Sequence, residues 1–92
     1  MRLLTDAEIA GRLADCAGWE RDGDRIISAR TLGDFRDAML YAAAVGHLAQ
    51  AADHHPDITI AWNTVTLTLS THAAGGLTEA DFALARSISA LP

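Results

Sequence analysis

The residues able to do chemistry gather in the second half of the chain. His54 and His55 are adjacent and precede Pro56 in "AADHHPDITIAW" (51–62), and His72 follows in "STHAAGGLT". Histidine has an unperturbed pKa of about 6.5, so it can both give and take a proton near neutrality. Two imidazoles on either side of a flat polar substrate can deliver one proton and remove another. Three readings compete for this set. Histidines near a helix C-terminus can simply complement its dipole and free carbonyls. Three imidazoles can hold zinc with one open position. Adjacent residues diverge on any regular element, however, and the i, i+4 pair of a helical zinc motif is absent, so no metal is expected. Acid–base catalysis is the third reading; the histidines alone permit it without requiring it. His47, on the long helix described next, reads as a solvated or interface residue.

The elements that must position these side chains are marked along the chain. Thr5 with Glu8 forms a capping box, and Leu4 with Ile9 a hydrophobic staple. Ile9, Leu13 and Cys16 or Ala17 follow at helical spacing, and Gly18 is the expected stop. Asp22-Gly23 predicts a hairpin between Trp19-Glu20-Arg21 and a strand over 25–32. A long helix follows over 33–53, with Phe35, Ala38, Met39, Ala42, Val45, Ala49 and Ala52 as its apolar stripe. Gly46 weakens that helix by about 1 kcal/mol relative to Ala and suggests a close backbone approach. Pro56 requires the helix to end before it.

Ile58, Ile60 and Trp62 then alternate on even positions, while Val65, Leu67 and Leu69 alternate on odd ones. The change of parity requires a turn or bulge near Trp62-Asn63-Thr64, hence a second hairpin. This alternation assigns Trp62 to the core; Trp19 shares its ambiguity between core and ligand contact. His72 has the parity opposite to Val65, Leu67 and Leu69, which places it on the open sheet face or just past the strand. After Gly75-Gly76, Thr78 and Asp81 form another capping box, with Leu77 and Phe82 as its staple. The order is α-β-β-α-β-β-α. It predicts an α+β fold, a four-stranded antiparallel sheet with three helices on one face.

The composition narrows the class. Ninety-two residues fit a single domain over 1–92, and a chain this short buries too little surface to be comfortably stable without association. All seven basic residues are Arg and the net charge is −5, a poor match for nucleic acid or an anionic membrane. The Arg-only, Ala-rich bias suggests a bacterial genome rich in GC. Cys16 is the only cysteine, so no internal disulfide can form. No membrane-spanning run or secretory leader is visible, and a cytoplasmic protein is expected.

Taken together, His54-His55-Pro56, Trp62-Asn63, Ser70-Thr71-His72 and Gly76-Leu77-Thr78 leading to Asp81 resemble the pterin-4a-carbinolamine dehydratase family. Weaker similarity runs upstream through Trp19, Ile26 or Ile27, Arg30 and Asp34-Phe35. The resemblance implies the same element order and a hydro-lyase that dehydrates a 4a-hydroxy-tetrahydropterin to the quinonoid dihydropterin. That reaction recycles the pterin after aromatic amino acid hydroxylation and needs no metal or organic cofactor. By position, His54 and His72 would be the main proton-transfer groups and His55 would orient the pterin and share that work. Pro56, Trp62 and Asp81 would help bind substrate. The family usually carries an acidic residue four positions before the first histidine; here it is Gln50, which can orient an imidazole but supplies no charge. The resemblance also implies a homodimer or homotetramer, built through sheet edges and the Ala42-Ala43-Ala44, Gly46, Ala49 stretch. The competing reading is a non-catalytic dimerisation or assembly module of the same fold.

Overall fold

Both predicted capping boxes form and start their helices where the sequence places them. In the computed structural model, which describes residues 1–92, Thr5 and Glu8 cap α1 (Asp6–Leu13), and Thr78 and Asp81 cap α3 (Glu79–Ser89). Between them lie β1 (Glu20–Asp22), β2 (Arg25–Thr31), α2 (Phe35–Ala52), β3 (Asp57–Ala61) and β4 (Thr64–Leu69), with one 3-10 turn at His72–Ala74. The order is α-β-β-α-β-β-α, as predicted.

The strands form one antiparallel sheet in the order β1-β2-β4-β3. Its register sorts the side chains by face. Ile26 lies opposite Leu69, and Ile58 and Ile60 lie opposite Leu67 and Val65. Ile26, Val65, Leu67 and Leu69 are fully buried against Ala38, Val45 and Ala49 of α2 and Phe82, Ala85 and Ile88 of α3. The other face carries Thr66 and Thr68, with Asp57 and Thr59 beside them on β3. It has no helix over it. No helix is long and apolar enough to cross a membrane.

Four details differ from the sequence reading. First, α1 stops at Leu13, well before Gly18. Asp15 and Cys16 donate their N–H groups to the carbonyls of Arg12 and Leu13, three residues back, so tight turns replace the last helical turn. Gly18, at φ +86, then steers the chain into Trp19. Second, the apolar stripe of α2 is rotated: Phe35, Met39 and Ala52 are exposed, while Tyr41, Ala42 and Leu48 pack partly beside Ala38, Val45 and Ala49. The helix is apolar over more of its girth than one sheet can cover. Third, no atom lies within 4 Å of where a Cβ on Gly46 would stand, so no close approach within the chain requires this glycine. Fourth, Trp62 is not in the core. It is 67% exposed at the tip of the β3–β4 hairpin, beyond the last pair Ala61–Thr64, and at φ +52. A two-residue turn between twisted strands favours positive φ, and there it is tryptophan that adopts it. Trp19, by contrast, is buried and donates its indole N–H to Ser89 Oγ at 3.2 Å.

Candidate functional site

The way α2 ends decides where the adjacent histidines go. Asp53 adopts the left-handed conformation, φ +49, and donates its N–H to the carbonyl of Gln50 at 3.2 Å. The His54 N–H reaches back to the carbonyl of Ala49 at 3.1 Å. This is a Schellman ending with aspartate where glycine is usual. A left-handed non-glycine residue costs about 1 kcal/mol, and aspartate tolerates it better than most. The reversal happens before Pro56, which therefore follows the stop without causing it. It also sends the two imidazoles in different directions.

His54 turns inward. Its Nε2 lies 2.6 Å from Asp81 Oδ1, and its side chain is 15% exposed against 0% for Asp81. The other carboxylate oxygen accepts the Thr78 N–H at 2.9 Å and the Thr71 hydroxyl at 2.8 Å. A carboxylate only accepts, so His54 Nε2 carries the proton here. No buried side-chain nitrogen or oxygen is left without a partner. Asp81 lies in the first turn of α3, where the helix dipole also favours its charge. Its two oxygens hold His54 and Thr71, the residues immediately preceding His55 and His72.

His55 turns outward, and its Nε2 meets Gln50 Oε1 at 3.0 Å. The Gln50 amide therefore serves the second histidine, while the carboxylate that holds the first is Asp81. His55 and Asp57 form one wall of a cavity of about 140 Å³. Thr68 and Ser70 at the end of β4, and His72 in the 3-10 turn, form another. Asp24 and Arg25 close it from the β1–β2 hairpin, and no apolar side chain lines it. Ser70 donates its hydroxyl to the Asp24 carbonyl at 2.9 Å, fastening that hairpin to the end of β4. Gly75, at φ +77, completes the turn that presents His72, and the Thr71 N–H closes it on the Gly76 carbonyl at 2.9 Å.

Of the residues expected at a site, the structure thus brings His55 and His72 to one cavity on the open sheet face. His54 instead borders a shallow groove between α2 and α3, among Leu48, Ala51, Ala83 and Leu84. Asp81 has no exposed surface with which to touch a ligand. Pro56 is half-buried and does not line the cavity. Trp62 stands five residues along β3 from Asp57, about 16 Å away at about 3.3 Å per residue. His47 is exposed on α2. Cys16 is buried, and burial pushes its thiol pKa up, away from reactivity. No three His, Cys, Asp or Glu side chains are gathered as metal ligands.

Asp24, Arg25, Asp57 and Thr68 were not singled out from the sequence, and Ser70 entered only as part of the Ser70-Thr71-His72 motif. Thr68 and Ser70 carried a signal, because they share strand parity with His72. Asp24 and Arg25 did not, since their place depends on β2 pairing with β4.

The family model for pterin 4 alpha carbinolamine dehydratase matches residues 2–91. The chain belongs to this family. A relative from Thermomicrobium roseum, named for pterin-4-alpha-carbinolamine dehydratase, is 50% identical over 99% of this chain and 98% of its own. One from Roseiflexus castenholzii, named for the same activity, is 54% identical over 94% and 92%. A crystal structure from Brucella melitensis, described as a transcriptional coactivator/pterin dehydratase, superposes with a TM-score of 0.92 at 33% identity, covering 97% of each chain. A pterin dehydratase-like protein identified as a RuBisCO assembly factor in the alpha-carboxysome shares the fold, with a TM-score of 0.63 at 20% identity over 78% of this chain and 83% of its own.

Proposed function

We propose that this pterin dehydratase family member is an active hydro-lyase that converts a 4a-hydroxy-tetrahydropterin to the quinonoid dihydropterin and water. The C4a–O bond breaks, N5 loses its proton, and the C4a=N5 double bond forms. No electrons enter or leave, so two positioned proton-transfer groups suffice. The observation that carries this reading is the pairing of His55 and His72 in one polar cavity. With Nε2 of His55 donating to Gln50 Oε1, its Nδ1 is left as the acceptor for the N5 proton. His72, exposed and without a side-chain partner, serves as the acid for the departing hydroxyl. His54 and Asp81 act behind this pair: they fix the two chain segments from which His55 and His72 project.

In this reading the enzyme works in the cytoplasm, recycling the pterin spent by an aromatic amino acid hydroxylase. It works as at least a homodimer. β3 is an edge strand with Ile58 and Trp62 exposed, and α2 leaves Phe35, Met39 and Leu40 uncovered. The other edge, β1, is three residues long and charged, which blunts it against pairing. Light scattering should give a mass of at least twice 9.7 kDa at micromolar concentration; a mass of 9.7 kDa throughout the range would refute association.

The dehydratase reading is tested by stopped-flow absorbance of chemically generated 4a-hydroxy-tetrahydropterin. Catalysed decay supports it. An assembled protein that leaves the spontaneous rate unchanged supports the non-catalytic assembly module instead.

A further inference from the structure

Asp57 is the cavity residue whose chemistry the proton transfers leave unused. It opens β3 directly opposite Thr68, so its side chain shares the open face with Thr68 and Ser70. It is two residues from His55, and the β3–β4 ladder fixes its backbone. Several acidic side chains elsewhere in the chain are engaged. Asp22 holds Arg25, Asp6 holds Arg21, and Asp81 holds His54. Asp57 makes no side-chain hydrogen bond or ion pair at all. Asp24 also lines the cavity, but from the tight β1–β2 turn rather than from a paired strand.

We propose that Asp57 is the substrate-recognition residue for the amino-pyrimidine edge of the pterin, an inference that rests on the dehydratase reading only for the ligand's identity. The 2-amino group and the N3–H of a pterin point the same way from adjacent ring atoms. They form a two-donor fork like that of a guanidinium, which a carboxylate accepts with two parallel hydrogen bonds. An anchor on this edge leaves C4a and N5, on the other side of the pyrimidine ring, free to face the histidines. It also sets specificity. An analogue with oxygen in place of the 2-amino group would turn an acceptor toward the carboxylate, and sites built around a substrate N–H reject such analogues strongly.

The test is equilibrium titration of the wild-type protein and Asp57→Asn with pterin and with lumazine, its 2-oxo counterpart. Asp57 has no protein partner to lose, so the variant is expected to fold normally; Asp15→Asn, an exposed aspartate outside the cavity, is the control. Wild type and Asp15→Asn should prefer pterin by tenfold or more. Asp57→Asn should lose that preference by weakening pterin and sparing lumazine. In turnover, the same variant should raise KM with little change in kcat, the mark of binding shared by ground and transition states. An unchanged preference in Asp57→Asn overturns the proposal, as does a wild type with no preference. Preference without turnover in the wild type would sustain the recognition role while ending the dehydratase reading.

Discussion

Replacing Asp81 should disturb stability and catalysis through identifiable bonds. Asp81→Asn keeps the size of the side chain. Its remaining oxygen can still accept from Thr71 and the Thr78 N–H, which leaves the new NH₂ facing His54 Nε2 across the former 2.6 Å contact. Two donors then oppose each other, unless His54 moves its proton to Nδ1 and accepts. Losing one bond to a charged group costs about 1.5–3 kcal/mol, and the tautomer change lowers that, so a loss of about 1–3 kcal/mol is expected. Asp81→Ala removes all three bonds and should cost about 3–5 kcal/mol. Total stability for a chain this size is roughly 5–14 kcal/mol. At about 4–8 °C per kcal/mol, the Asn variant should melt roughly 4–24 °C lower. Thermal denaturation followed by circular dichroism measures this, and ¹⁵N shifts of the His54 ring report where its proton resides. Well below the melting temperature, kcat of Asp81→Asn should fall by about 10- to 100-fold as His55 and His72 lose their alignment. Melting within about 2 °C of wild type, with the His54 proton still on Nε2, would refute the bracing role.

Other expectations follow from individual residues. Gly46→Ala adds a methyl group into open space within a helix interior and should stabilise the chain by about 0.5–1 kcal/mol, read from denaturant unfolding. Glu8 is held down to about 2 from its ordinary 4.5, first by the Arg2 hydrogen bond and then by the Thr5 N–H. Its stabilising contribution is therefore full above about 4.5 and disappears as pH falls through about 2; the melting difference between wild type and Glu8→Gln should close over that window. Exhaustive chelation should leave dehydration unchanged, and activity that is lost and then returns with added zinc would reassign the histidines as ligands.

Much of the architecture was legible because its signals are local. The two capping boxes, the Asp22-Gly23 turn and the parity change at Trp62 each lie within a few residues, and together they fix the element order. The end of α2 was less legible. The sequence bounds the helix at 53, one residue from its observed end, but Asp53 ends it in a left-handed conformation with no glycine to mark it. That turn directs His54 toward Asp81 and leaves His55 for the cavity, so which of the adjacent histidines reaches the cavity depends on one backbone dihedral. The buried face of α2 was misjudged at Phe35 and Met39 because apolar residues cover two neighbouring sides of that helix, and periodicity does not say which one packs. Asp24 and Arg25 reach the site only through strand order, which is a property of the whole sheet.

In the proposed reaction His55 and His72 carry the proton transfers while His54 braces them. Single-turnover stopped-flow decay of 4a-hydroxy-tetrahydropterin, compared among His54→Gln, His55→Ala and His72→Ala, tests this most directly. The cavity variants should each lose about 10²–10⁴-fold in rate, the usual contribution of a positioned acid or base. His54→Gln, whose amide can still donate to Asp81, should stay within about tenfold of wild type. Wild-type rates in both cavity variants, or a loss in His54→Gln as deep as theirs, would contradict the assignment.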